Sequence, residues 1–426
     1  MLINNIRQTL STQFIRNVGW LGGAELANRI FRLGTTFTLA RMFSPYDYGL
    51  VAVILTTNEF ANVVTLKSGI SSKIIQADEQ NLKVICNTSY WLNWIVCIFM
   101  FILQCMAAFP IAWFYGNNRI ILPICFSSLV YLMLPLFMVQ CALIQRENRL
   151  NIIALCNITQ SLSINILTIT LAILGLGVWS VILPIVITTP IWIVINNRNH
   201  KWQPPKSFQL KQWQEILCFS KDILGVEFLN KLRSNIDYLI VGRFLSIDAL
   251  GIYYFAFNAG LGISLNVVNA FTTALFPHLC EVREDFKQMR SRYFSSLKST
   301  ATFVIPLILL QSSLAPLYVP FIFGQKWVTA IPVLILICLS ALSLPLYNAT
   351  SLLINAVGKT HINLYFNLIY TLLFAVFLLF AVKWGIFWIA VTVLVCQLVI
   401  QGAFSIWAIK YIFTRPPNFY MSNKQY

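Results

Sequence analysis

Apolar runs of about twenty residues follow one another along almost the whole chain, and nothing constrains its fold more. About 20 helical residues cross a hydrocarbon core roughly 30 Å thick. Only helices or closed barrels satisfy their backbone hydrogen bonds there. Barrel strands would alternate in short segments, whereas these runs are continuous, so an all-α polytopic membrane protein is expected. The spans fall at residues 18–40, 48–66, 86–109, 119–142, 152–174, 178–196, 219–241, 249–276, 300–322, 328–355, 361–382 and 386–411. Turn and charge clusters separate them, such as Ser44-Pro45-Tyr46-Asp47, Tyr115-Gly116-Asn117-Asn118 and Phe323-Gly324-Gln325-Lys326. Spans five and six are parted only weakly, by Gly175-Leu176-Gly177. Composition agrees. The 426 residues are 58% hydrophobic and 10% charged, against about 25% charged in soluble proteins, and mean hydropathy is +0.73. The polar, amphipathic residues before the first span lack the pattern of a cleaved signal peptide, so the first helix is expected to act as the insertion signal.

A net charge of +16 raises nucleic acid as a partner. The distribution of that charge argues against it. Twenty-one of the 30 Lys and Arg fall on one side of the expected topology, five on the other and four within spans. The positive-inside bias then places both termini in the cytoplasm. The ten cysteines form no CxxC pair and the three histidines lie far apart, so neither metal, disulfide framework nor cofactor is implied. The two longest loops, about 197–218 and 277–299, are both cytoplasmic in this topology. In the second, Leu279, Val282, Phe286, Met289, Tyr293 and Leu297 recur at near-helical spacing. An amphipathic segment lying on the inner membrane surface is expected there.

The chain also repeats. Shifted by 202, Gly23 meets Gly225, Glu25 meets Glu227, Asn28 meets Asn230 and Arg29 meets Lys231. Six of the 29 positions from 22 to 50 are identical in this register. Shifted by 210, "LIQREN" plus Arg149 meets "LINAVG" plus Lys359. Two six-helix parallel repeats around a central cavity follow, a recognised transporter plan: residues 1–196, a linker 197–218, residues 219–411 and a tail 412–426.

Charges inside spans cost roughly 2.5–3.5 kcal/mol each at mid-bilayer on insertion scales. Glu25, Asn28, Arg29, Arg32 and Thr36 step by three or four and share one stripe of the first span. Glu227, Asn230, Lys231, Ser234, Asp237 and Tyr238 do the same on the seventh. The second span adds Asn58, Glu59 and Asn62, and the eighth adds Asn258, Asn266 and Asn269. Such stripes are expected to line a water-filled cavity. A plainer reading is that Glu25–Arg29 and Glu227–Lys231 are i,i+4 pairs that neutralise each other. It leaves Arg32 and Asp237 without local partners.

With "LARMFSPYDYGLVAV", "SNIDYLIVGRFLSIDALGIYYFA", "FGQKWVTAIPVL" and "INAVGKTHIN" in view, the chain resembles the Wzx-type polysaccharide biosynthesis flippases. These belong to the multidrug/oligosaccharidyl-lipid/polysaccharide exporter superfamily. The resemblance implies a flippase of the bacterial plasma membrane that turns a lipid-linked oligosaccharide, usually on undecaprenyl diphosphate, to the outer leaflet. It implies that Arg29, Arg32 and Lys231, with Asn28 and Asn230, bind the anionic headgroup, and that Glu25, Glu227, Asp237 and Glu59 serve ion coupling or charge balance. Membrane lipids and other polysaccharide assembly proteins are the expected partners. No Walker motif points to direct ATP hydrolysis. The rivals are a drug/cation antiporter of the same superfamily, a membrane polysaccharide polymerase or ligase, and a non-transporting assembly scaffold. Cationic stripes disfavour the first and short outward loops the second.

Overall fold

A computed structural model describes residues 31–205, 207–282 and 285–414. Every regular element among them is helical. Residues 31–42 (α1) continue the first expected span. Then come α2 (Pro45–Val64), α3 (Lys67–Gln76), α4 (Glu79–Tyr115), α5 (Ile121–Ser127), α6 (Leu129–Met133), α7 (Met138–Arg146), α8 (Leu150–Ile173), α9 (Trp179–Thr188) and α10 (Pro190–Asn199). They are followed by α11 (Trp213–Phe244), α12 (Ile247–Cys280), α13 (Phe286–Tyr318), α14 (Ile331–Ser340), α15 (Leu344–Ala356), α16 (Thr360–Ala381), α17 (Ile386–Val395) and α18 (Gly402–Thr414). Nine helical stretches among the described residues are long and apolar enough to cross a membrane. α11 and α12 lie outside those nine but are 32 and 34 residues long. The chain divides into two compact units, the first ending at Asn235 and the second beginning at Ile236, inside α11.

Proline sets several breaks because it lacks an N–H and its ring crowds the preceding turn. The fourth span is interrupted by a tight turn at Leu134–Leu136 around Pro135. The tenth breaks at Ala341–Ser343, just before Pro345. Spans five and six are distinct helices, because Gly175 and Gly177 take φ of 77° and 53° and end α8. Such positive angles favour glycine.

Backbone geometry repeats at both offsets read from the sequence. At 202, Ser44 Oγ accepts from the Asp47 N–H at 3.2 Å, and Ser246 Oγ accepts from the Ala249 N–H at 3.0 Å. Each serine satisfies an otherwise open donor at the start of its helix. At 210, Asn148 and Gly358 both take positive φ, 57° and 80°. The Arg149 N–H then donates to Ile144 O at 3.0 Å, and the Lys359 N–H to Ile354 O at 3.1 Å.

Burial within each unit follows the helix period. Along α4, Cys97, Met100, Gln104, Ala108 and Ala112 face inward, while Phe99, Met106, Phe109 and Trp113 stay exposed. An apolar outer face of this kind suits lipid. Gln104 joins α4 to its neighbours: its amide donates to Asn58 Oδ1 at 2.9 Å and Ile124 O at 3.0 Å, and its carbonyl accepts from Tyr131 at 2.9 Å. Asn58, a candidate cavity residue, is thereby used in the scaffold.

Two loops differ in their roles. Residues 277–299 do not form a separate surface helix. Their described residues include the end of α12 and the start of α13, capped by the Asp285 side chain. Leu279, Val282, Met289 and Tyr293 pack with Leu353, Ile354, Phe404, Ala408 and Ile412. The expected amphipathic stripe exists, but protein covers its apolar face. The described residues of 200–212 dock back on helices of the first unit. The Trp91 Nε1–H donates to Ser207 O at 3.0 Å and the Thr88 hydroxyl to Lys211 O at 2.7 Å. Lys73 pairs with Glu215. At Gly69 an added Cβ would lie 2.5 Å from Ser220 Cβ, so α3 and α11 approach each other there as only glycine allows.

Candidate functional site

α11 carries Glu227, Asn230, Lys231 and Asp237, three or four residues apart or their multiples, so its helical period gathers them on one side. Lys231 Nζ lies 3.0 Å from Glu59 Oε2 on α2. The Asn235 amide joins both, donating to Glu59 Oε2 at 3.1 Å and to Lys231 O at 3.0 Å. The Lys231 and Glu59 side chains are 42% and 45% exposed. Beside the pair, the rings of Phe60 and Phe228 are 5.7 Å apart.

The structure thus unites two of the expected site residues, Lys231 and Glu59, from helices 172 positions apart. The ion pair of Lys231 among the described residues goes to Glu59, not to Glu227 one turn earlier. Asn235 was not among the expected site residues. Its signal was present, four positions after Lys231 and therefore on the same face.

Asp237 belongs to the second unit and is 5% exposed. Its Oδ2 accepts from the Tyr253 hydroxyl at 2.7 Å and its Oδ1 from the Tyr238 N–H at 3.0 Å. Tyr238 packs edge-on against Tyr253, with centroids 5.7 Å apart. No ion pair to Asp237 occurs among the described residues.

Asn230 is exposed and Glu227 partly exposed on α11. Arg32 is exposed on α1, one turn before Thr36, whose hydroxyl donates to the Arg32 carbonyl at 2.9 Å. Glu25, Asn28 and Arg29 lie outside the described residues. Among the described residues no three His, Cys, Asp or Glu side chains gather as metal ligands.

Chemically, the two carboxylates offer different things. An exposed ion pair is worth only about 0–1 kcal/mol, so an incoming anion can take Lys231 from Glu59 at little cost. Phosphate oxygens, with more charge and several acceptors, compete well for an ammonium. Asp237 is buried and already accepts from neutral donors.

Comparison with known proteins adds to this geometry. A family model described as polysaccharide biosynthesis protein matches residues 38–332. The teichuronic acid biosynthesis protein TuaB of Bacillus subtilis is 24% identical over 382 residues, covering 88% of this chain and 78% of its own. The lipopolysaccharide biosynthesis protein WzxC of Escherichia coli is 25% identical over 351 residues, covering 79% of this chain and 68% of its own. Among solved structures, the inward closed conformation of the lipid II flippase MurJ matches with a TM-score of 0.73 at 14% identity. That match covers 94% of this chain and 89% of the flippase.

Proposed function

We propose that this chain, which belongs to the family of polysaccharide biosynthesis proteins, is a flippase. It moves a lipid-linked oligosaccharide, with undecaprenyl diphosphate as the carrier, across the bacterial plasma membrane. It is a multi-pass membrane protein, and the charge bias supports cytoplasmic termini. It acts by alternating access, as a transporter and not an enzyme. The six-helix halves, residues 1–196 and 219–411, are the bodies that move, and the linker 197–218 joins them.

One observation carries the reading: a half-exposed cation in a membrane protein, Lys231, is paired among the described residues with an easily displaced carboxylate, Glu59. Charges inside spans are expensive and mark substrate or ion pathways. Lys231, with Asn230, receives the diphosphate, and Arg29, Arg32 and Asn28 of the first span complete the anion site. Glu59 is released when the headgroup enters and balances charge when it leaves. Glu25, Glu227 and Asp237 are the remaining acids for ion coupling. The fold of a lipid II flippase and the polysaccharide roles in the relatives' names support the same substrate class. Other polysaccharide assembly proteins supply and consume it.

The test is translocation of a labelled undecaprenyl diphosphate oligosaccharide in proteoliposomes. Wild type moves label to the far leaflet, and Lys231→Ala lowers the rate about tenfold or more, a barrier change of about 1.4 kcal/mol. The variant inserts normally, because an exposed pair contributes little to stability. Equal rates would discard the anion site. No transport by wild type with the native glycan would discard the flippase.

A further inference from the structure

A cavity of about 330 Å³ opens in the first unit at one end of α10, far in sequence from the Lys231 pair. Leu136, Gln140, Ile193, Asn197, Lys201 and Trp202 form most of its wall. Its size is at the lower end of the roughly 300–1,000 Å³ usual for ligand pockets.

Three facts describe what fits. First, Gln140 is 3% exposed, and its side-chain oxygen has no hydrogen-bond partner among the described residues. A buried acceptor left unsatisfied is costly, so this one calls for a donor. Second, Lys201 is the cation of the wall. His200 also lines the cavity, but both its ring nitrogens are engaged. Its Nδ1 accepts from the Trp202 N–H at 3.0 Å, which leaves the proton on Nε2, 3.3 Å from Glu147. His200 therefore fixes the loop. Third, the wall is half membrane helix and half loop. Leu136 sits at the break inside the fourth span, just before α7, and Ile193 and Asn197 lie in the last turns of the span Trp179–Asn199. Residues 200–204 supply the rest. The mouth of the cavity thus lies where the span Trp179–Asn199 leaves the hydrocarbon, at the depth of lipid headgroups.

We propose that this cavity is a binding site for the phosphoglycerol headgroup of an anionic phospholipid. The phosphate faces Lys201. Gln140 lines the cavity, and a turn of its amide brings the orphan oxygen to a glycerol hydroxyl, which donates to it. The amide of Asn197, exposed at the rim, can donate to or accept from a second hydroxyl. Leu136, Ile193 and Trp202 receive the first carbons of the acyl chains. Zwitterionic headgroups add a positive charge beside Lys201 and fit less well.

The experiment uses the full chain in nanodiscs and measures retained lipid by native mass spectrometry. Phosphatidylglycerol is compared with phosphatidylethanolamine, and soluble glycerol phosphate serves as a competitor. Wild type retains phosphatidylglycerol selectively. Lys201→Ala weakens retention about fivefold, as expected for one basic residue near an anionic surface. Gln140→Leu weakens it about three- to tenfold, as expected for one hydrogen bond. Gln140→Leu does not lower the melting temperature, because it removes an unpartnered polar group; a purely structural glutamine would behave oppositely. Lys201 is exposed, so its variant folds regardless of the other. Unchanged retention in both variants overturns the site. Equal retention of the two lipids overturns the headgroup. Full displacement by glycerol phosphate at lipid-like affinity assigns the cavity to a soluble phosphate ester and overturns the lipid.

Discussion

Lys231 and Asp237 stand six positions apart on one helix, in one polar stripe of the sequence. Their surroundings are opposite. Lys231 is half exposed and bound to a carboxylate that water can reach. Asp237 is buried among tyrosines and bound by a hydroxyl and a backbone N–H. The first arrangement is cheap to open and suits a group that exchanges partners. The second is expensive to disturb and suits a group that holds its place or takes up a proton in isolation. A stripe of charges is therefore not one site by virtue of its spacing; each member's neighbours decide its work.

Three stability measurements, by chemical unfolding in detergent, test that contrast. The largest effect is expected for Tyr253→Phe. It removes a donor from a buried carboxyl and should destabilise the protein by about 1–3 kcal/mol. No loss would mean that water reaches Asp237, and the contrast would fail. Asn235→Ala comes next, at about 0.5–1.5 kcal/mol, since Glu59 keeps Lys231 as a partner. Smallest is Glu59→Gln, below about 1 kcal/mol. The salt dependence that the pair gives wild type should shrink in this variant. A large effect of Glu59→Gln, insensitive to salt, would place Lys231 in a dry environment like that of Asp237.

Much of the fold was legible because lipid imposes simple rules. Long apolar runs mark spans, and the repeat at 202 and 210 appears again as paired serine caps and paired left-handed turns. The period of α11 placed Lys231 among the site residues. It could not name Glu59 as the partner, because pairs so far apart in sequence depend on how α2 meets α11. Nor could hydropathy tell whether protein or lipid covers an apolar stripe. Residues 277–299 satisfied the pattern of a surface helix, yet Met289 and Tyr293 pack against Phe404, Ala408 and their neighbours. Arg146 shows the same limit. It reads as a loop cation, but its guanidinium caps α3 through the carbonyls of Ile74, Ile75 and Ala77 and pairs with Glu79 at 2.8 Å.

The docked loop has a practical meaning for anyone modifying this chain. Residues 200–212 look like a natural place for an epitope tag or a protease site, being polar and between two spans. Its anchors, Trp91 to Ser207 O and Thr88 to Lys211 O, grip main-chain oxygens. Side chains at those two positions can drift freely without loosening the grip, while a single inserted residue shifts the register of both carbonyls. Tolerance to substitution and tolerance to insertion therefore part company here.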